Sequence, residues 1–299
     1  MKKFIIVTGG SGFVGSNLIR YLIKKTDYYI ISIDDYSSGT KKNHINSKRA
    51  KYIRGNTKDI DKILKKYISK IHSIFHFGEF SRIYQSFLKM NKCIQSNSIG
   101  TNAVFDFCLK NRIRLVYSAT SASLGNKEKD KNLSPYAFTK AKNLEFLENL
   151  RKWFNFKYEV IFFYNVYGPG QIKKGDMSTV IGIFEDCFLK DLPLPVVKPG
   201  TQSRRFTHIS DTIKVCYKAW KSNKSRFYSI SNKNSYTILE VAKMFRKKIK
   251  FLPARQGERY ASALTNLSLS KKIYRTYGKI SLKKYVEEFL KNTKKNKVF

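Results

Sequence analysis

The chain has 299 residues, with 42% hydrophobic and 14% aromatic side chains and a formal net charge of +38 at pH 7. That length suits one large or two modest domains around a substantial core, and the composition excludes a disordered chain. No apolar run approaches the ~20 residues of a membrane span. The opening "MKKFIIVTGG" breaks its apolar run at Thr8-Gly9-Gly10, short of the ~7–15 residues of a signal peptide's apolar region, so a cytoplasmic protein with no membrane partner is expected. Cys93, Cys108, Cys187 and Cys216 are far apart and read as reduced, structural thiols; neither they nor the scattered histidines suggest a metal site. The lysines run along the whole chain. Solvated faces rather than a nucleic-acid surface are therefore expected, with a diffuse field that draws in anionic substrates.

The first element is "KKFIIVT" (2–8), β-branched and apolar, which reads as a buried strand. "VTGGSGFVGSN" follows and opens a helical pattern from Phe13 to Lys25. Gly9, Gly12 and Gly15, three apart, permit a tight turn and close approach of a pyrophosphate, while the helix start offers free N–H groups. Phe13 and Val14, at that start, join the glycines as expected cofactor contacts. A second strand (28–33) runs into "SIDDYSSG". There Asp34, or failing it Asp35, is placed to bond a ribose diol; a carboxylate repels a 2′-phosphate, which favours NAD over NADP unless Lys41 and Lys42 offset it. Strands at 50–55 and 72–77 and a helix over about 91–110 come next.

The fifth strand (113–118) runs out into "YSATSASLG", placing Thr120 beside Ser118 and Ser121 at a strand C-terminus, where open α/β sheets hold ligands. "SPYAFTK" opens a helix over 135–154 with Ser134 as N-cap and Pro135 in the first turn. Tyr136 and Lys140, at i and i+4, share a face. The lysine's charge is expected to lower the phenol's pKa from about 10 and suit it to act as a base. A sixth strand covers 158–163. The alternation predicts a Rossmann-type doubly wound parallel sheet over 1–165. From 166 the pattern changes: proline and glycine cluster in "VYGPGQ" and "LPLPVVKPG", and a strand (226–231) and a helix (237–248) follow irregularly. A smaller C-terminal α/β substrate domain over 166–299 is expected, with the chain crossing between the two.

The stretches "TGGSGFVGSNL", "DDYSSGTKKN", "SNSIGTNAVFDFC", "SATSASLG", "SPYAFTK", "NVYGPGQ", "SRRFTHISD" and "YSISNKNSYTILEVAKMF", in that order, resemble the extended short-chain dehydrogenase/reductases, in particular the NAD-dependent sugar-nucleotide epimerases and dehydratases. The resemblance spans essentially the whole chain. It implies NAD as cofactor, a nucleotide-diphosphate sugar as substrate, and Thr120, Tyr136 and Lys140 as the catalytic set. It places Asn56, where the family usually has an aspartate, near the adenine. Phe77 and Gly78 line the cofactor, and Asn97 supports its hydrogen bonds. Ser121 and Asn165 fall at the sugar or diphosphate. Arg204 and Arg255 clamp the diphosphate through their forked guanidinium groups, and Glu258 falls on the nucleotide ribose. Glu79 and Arg82 stand where the family is small or apolar; they either contact the sugar or pair with each other.

In the resembling dehydratases an Asp-Glu pair follows the threonine, whereas here Ser121 and Ala122 follow. The resemblance therefore points to a UDP-hexose 4-epimerase acting on glucose/galactose or their N-acetyl forms. Alternatives are another NAD(P)-dependent nucleotide-sugar oxidoreductase, such as a keto-sugar reductase or an epimerase at another carbon, and, more remotely, a non-catalytic basic protein that binds NAD or RNA. The helices near 91–110 and 135–154 carry wide apolar faces, and in the resembling family these two pair across a two-fold, so a homodimer is expected.

Overall fold

The computed structural model describes residues 2–124, 132–257 and 273–295. Its strands are β1 (Phe4–Thr8), β2 (Tyr29–Asp34), β3 (Ala50–Arg54), β4 (Ile71–His76), β5 (Arg114–Thr120), β6 (Tyr158–Phe163), β7 (Val166–Tyr167), β8 (Leu194–Val197), β9 (Ser203–Arg205), β10 (Thr207–His208), β11 (Phe227–Ser231), β12 (Ser235–Thr237), β13 (Ile249–Leu252) and β14 (Ile273–Tyr277). Its α-helices are α1 (Phe13–Lys25), α2 (Ile60–Leu64), α3 (Ile83–Leu88), α4 (Met90–Ile94), α5 (Thr101–Lys110), α6 (Pro135–Phe154), α7 (Val180–Leu189), α8 (Ile209–Ser222), α9 (Ile238–Met244) and α10 (Leu282–Lys295).

Eight strands form one parallel sheet in the order β14-β11-β6-β5-β4-β1-β2-β3. Successive strand residues point to opposite faces, so each strand feeds two cores. Ile6, Ile31, Ile74, Leu115 and Val160 pack under Phe105 of α5 and Leu147 of α6. Ile5, Val7, Ile30, Phe75 and Ile161 pack under Leu18 and Leu22 of α1 and Ile213 and Trp220 of α8. The chain reverses direction across the sheet between β1 and β4. That switch point opens a crevice at the strands' C-terminal ends, where such sheets bind ligands.

A third core, built on Phe184, Val196, Phe206, Val241 and Phe245, joins α7, α9 and α10 to the short strand pairs β8–β13 and β9–β12. Strands β11 and β14 and helix α8 lie past residue 166 yet return to the main sheet.

Helix α6 begins where the sequence places it: Ser134 Oγ accepts from Ala137 N at 3.1 Å and Pro135 stands in the first turn, a cap contributing about 1 kcal/mol. It ends at Asn155, whose φ of 52° is left-handed. The helix expected over 91–110 is instead three pieces, α4, a π-helical turn over Gln95–Gly100, and α5. The widened turn presents the Asn97 carbonyl to Asn143 Nδ2 of α6 at 2.6 Å, a side-chain bond that periodicity does not reveal. The helix expected over 237–248 stops at Met244, because Arg246 takes a left-handed φ of 55° and β13 follows.

Candidate active site

The crevice is a cavity of about 720 Å³. One wall is the C-terminal ends of the central strands; the other comes from segments between Ile172 and Phe206 and from Arg255. The glycine turn forms its floor. Gly9 has φ +69°, and a Cβ there would lie 2.8 Å from Gly78 N; a Cβ at Gly15 would lie 2.2 Å from Gly9 O. The first turn of α1 therefore seats directly against the ends of β1 and β4, with no room for side chains. Gly12 is the N-cap of α1 and makes no side-chain cap bond. Gly12, Phe13 and Val14 all line the cavity, with the positive end of the helix dipole beside them.

At the end of β2, Asp34 is buried and lines the cavity. Its Oδ2 accepts from Ser11 N at 2.8 Å and its Oδ1 from Tyr36 N at 2.9 Å. Each oxygen keeps a further lone pair for a diol. Burial raises the Asp34 pKa, and the N–H groups of Tyr36 and Ser11 act against it. Asp35 is exposed and turns its Oδ1 to Ser37 N at 2.8 Å. Asn56 lines the cavity as the cap of a short 3₁₀ turn, accepting from Lys58 N at 3.1 Å. The N–H groups of Phe77 and Gly78 both donate to Thr8 Oγ1, at 3.1 and 3.0 Å, which fixes this loop over β1. A glycine cradle that a Cβ would fill, an uncapped helix start and a carboxylate one strand away fit a dinucleotide.

Thr120, Tyr136 and Lys140 also line the cavity. The Thr120 side chain lies close enough to the Tyr136 phenol to favour its anion. Lys140 Nζ donates to Ser118 O at 2.6 Å and to Glu79 Oε2, and lies 4.7 Å from the centre of the Tyr117 ring. The expectation that Lys140 draws the phenol below its ordinary pKa is corrected. Burial pushes Tyr136 up to about 12, against which act the Thr120 side chain and the charge of Arg82, while Glu79 adds to the rise. Burial lowers the Lys140 pKa, with Glu79 opposing, and raises that of Glu79, with Lys140 opposing.

Two further expectations change. Glu79 and Arg82 do not pair with each other. Both line the cavity; the Glu79 side chain is 2% exposed and salt-bridged to Lys140, and its Oε1 accepts from Thr101 Oγ1 and Tyr117 OH, each at 3.0 Å. Arg82 donates from Nη2 to Met177 O at 2.5 Å, from Nε to Ser178 O at 3.2 Å and from Nη1 to Ser81 O at 2.7 Å. It ties its own loop to the far wall. Asn97 is fully buried and does not line the cavity. It brackets the Phe80 peptide, with Oδ1 accepting from Phe80 N at 2.7 Å and Nδ2 donating to Phe80 O at 3.0 Å.

Ser121 and Asn165, just past the ends of β5 and β6, and Arg204 and Arg255 of the far wall line the same cavity. Asn165 has a left-handed φ of 34° and donates from Nδ2 to Arg205 O at 2.9 Å. The Arg255 guanidinium stacks 5.1 Å from the centre of the Tyr84 ring. Glu258 lies outside the described residues. The cavity also takes in Ile172, Asp176, Ser178, Thr179 and Val180. Sequence reading passed over these because "QIKKGDMSTV" carries no periodicity and no charge pattern that marks a site. Among the described residues, no three His, Cys, Asp or Glu side chains gather as metal ligands, and no helix is long and apolar enough to cross a membrane.

A doubly wound sheet with a glycine turn at its switch point and an acid at the end of its second strand defines a dinucleotide-binding α/β protein. The sequence model of the NAD dependent epimerase/dehydratase family matches residues 5–231, so the chain belongs to that family, and NAD is its cofactor. The chain is 29% identical to an ADP-L-glycero-D-manno-heptose-6-epimerase of Brachyspira hyodysenteriae, over 81% of this chain and 80% of that one. It is 28% identical to a putative UDP-glucose 4-epimerase of Methanocaldococcus jannaschii, over 73% of this chain and 74% of that one. Among solved structures, the UDP-glucose 4-epimerase of Thermotoga maritima superposes with a TM-score of 0.84 at 21% identity, covering 98% of this chain and 99% of that one. The UDP-N-acetylglucosamine 4-epimerase of Methanobrevibacter ruminantium does so with a TM-score of 0.81 at 25% identity, covering 98% of each.

Proposed function

We propose that the protein is a sugar-nucleotide 4-epimerase whose substrate is a UDP-hexose, glucose/galactose or their N-acetyl forms. The observation that carries this reading is the convergence of the glycine turn, Asp34, Thr120, Tyr136, Lys140, Arg204 and Arg255 on one cavity. Ser121 and Ala122 follow Thr120, so the two positions that would serve a dehydratase with acid and base carry no carboxylate. Relatives and structural neighbours that bear 4-epimerase names support the same choice.

NAD, when bound, supplies a reversible two-electron acceptor. Gly9, Gly12 and Gly15 hold its pyrophosphate, Asp34 a ribose diol, and Asn56 lies toward the adenine. Tyr136 takes the proton from the sugar C4 hydroxyl and returns it to the C4 oxygen once the carbon has inverted. Thr120 donates to the C4 oxygen and keeps the phenol aimed at it. Lys140 braces the site from below. Arg204 and Arg255 grip the diphosphate, joined by Glu258, while Asn165 and Ser121 orient the sugar.

The residues up to 165 form the cofactor lobe in this reading and 166–299 the substrate lobe, with β11, β14 and α8 crossing back. The protein acts in the cytoplasm as a homodimer. Leu88, Met90, Ile94, Ile99 and Phe138, all exposed on α3, α4, the π turn and α6, supply the apolar patch for that interface. The test is to add UDP-galactose, UDP-glucose and their N-acetyl forms to the NAD-loaded protein and identify products by mass and chromatography. Interconversion of a C4 pair supports the reading; no turnover of any UDP-hexose overturns it. A second reading, epimerisation at another carbon, is favoured by the similarity to the heptose-6-epimerase, and ADP-heptose belongs in the same panel.

A further inference from the structure

Glu79 is a buried acid that the reaction above does not use. Its loop follows β4, and its carboxylate is enclosed by four groups from three other elements of the fold. Lys140 Nζ of α6 bonds Oε2. Thr101 Oγ1 of α5 and Tyr117 OH of β5 donate to Oε1 at 3.0 Å, and Asn143 Nδ2 of α6 approaches it at 3.4 Å. Thr101 in turn meets the buried His76 Nε2 at 2.9 Å, and His76 Nδ1 meets Thr8 Oγ1 at 2.7 Å. Asn143 also reaches Tyr117 OH at 3.1 Å and Asn97 O at 2.6 Å. Such a network, satisfied at every oxygen and 2% exposed at its centre, holds its members to one geometry.

We propose that Glu79 is a positioning residue of the active site: its carboxylate fixes Lys140 Nζ between itself and Ser118 O and balances the ammonium charge, so that Lys140 acts on Tyr136 as a scaffold rather than as a naked cation. The inference rests on the reading of Tyr136 as the base. Tyr136 lies near Thr120 and Arg82, with Cys93, Glu79 and Tyr117 as further titratable neighbours. Arg82 sits on the same loop as Glu79, held by three carbonyls. With the Lys140 charge balanced, Arg82 is a cation placed to favour the phenolate.

The experiment is a pH titration of Tyr136 in the NAD-loaded, full-length protein. It is read as the tyrosinate ultraviolet difference spectrum of each variant against the same variant carrying Tyr136→Phe, together with the pH dependence of kcat. A neutral residue 79 removes an anion near the phenol, which favours the phenolate, so the midpoint moves down. Glu79→Gln is expected to lower both the spectral midpoint and the corresponding limb of kcat by about 1–2 pH units, as a single charge roughly 6–12 Å away does at an effective dielectric near 20. Glu79→Ala, which admits water at Lys140, shifts the midpoint the same way and serves where the glutamine variant does not fold. Glu79→Asp keeps the charge and the parent midpoint, at a lower rate. Loss of rate in all three with no movement of the midpoint would overturn the proposal, because a structural role predicts that. If Tyr136→Phe leaves activity intact, the reading of Tyr136 as base fails, independently of what Glu79 does.

Discussion

Removing the lysine from the Lys140–Glu79 pair leaves a nearly buried carboxylate without its cation. The two side chains are 4% and 2% exposed. In Lys140→Met the methionine refills most of the volume, so the change is chiefly one of charge, and breaking a buried pair from one side costs about 3–5 kcal/mol. Unfolding entropy of about 2.1 cal/mol/K per residue, over 299 residues, is about 0.6 kcal/mol/K, so the midpoint of thermal unfolding should fall by about 5–8 °C. Glu79→Gln alone should also destabilise, since it leaves the ammonium on Ser118 O without its counter-ion. The double variant Lys140→Met/Glu79→Gln should recover most of the loss and lie within about 2–3 °C of the parent. The assay is calorimetry of the cofactor-stripped protein at pH 7, so that NAD binding does not contribute. Strict additivity of the two single effects, within about 0.5 kcal/mol, would refute the reasoning.

Gly15→Ala places a Cβ 2.2 Å from Gly9 O and 2.8 Å from Gly10 Cα. Backbone must give way, at about 1–3 kcal/mol, and NAD affinity measured by calorimetry should fall ~10–100-fold while circular dichroism is unchanged. His76 is fully buried, and burial holds its pKa at about 3 instead of 6.5. The unfolded chain therefore takes up a proton that the native chain refuses. Its contribution to stability is complete above pH 6.5 and is lost as pH falls toward 3, reaching about 2 kcal/mol of loss at pH 5. Urea titrations should show His76→Gln losing about that much less than the parent between pH 7 and 5. Ile99 and Phe138 are 46% and 48% exposed; Ile99→Asp with Phe138→Asp should turn a dimer into a folded monomer by sedimentation velocity, and a parent that is already monomeric at micromolar concentration removes the interface.

The first six strands, α1 and α6 were legible because their signals are local: β-branched runs, glycines at fixed spacing, and a Ser-Pro cap. The cofactor side of the cavity was legible for the same reason, since Gly9, Gly12, Gly15 and Asp34 act through backbone geometry that glycine and strand-end acids announce. What stayed hidden depends on contacts between distant positions. Glu79 and Lys140 are 61 residues apart; from sequence the acid could either meet the sugar or pair with its neighbour Arg82, and the lysine looked free to act on Tyr136. Asn97 reads as a polar residue near a site, yet a π turn aims it at the Phe80 backbone. The far wall around Ser178 is fixed by Arg82 Nε reaching across 96 residues, and α7, α8 and α10 have faces that only the third core and the sheet define.

The central claim is that Tyr136 deprotonates the C4 hydroxyl of a bound UDP-hexose while the hydrogen on C4 leaves and returns within the closed site. UDP-galactose carrying deuterium at C4, incubated with the NAD-loaded protein in ordinary water, measures it directly. The account predicts UDP-glucose that retains the deuterium at C4, and a rate about 10²–10⁴-fold lower in a folded Tyr136→Phe variant. Product that has exchanged its deuterium with water, or a Tyr136→Phe variant that turns over at the parent rate, would contradict it.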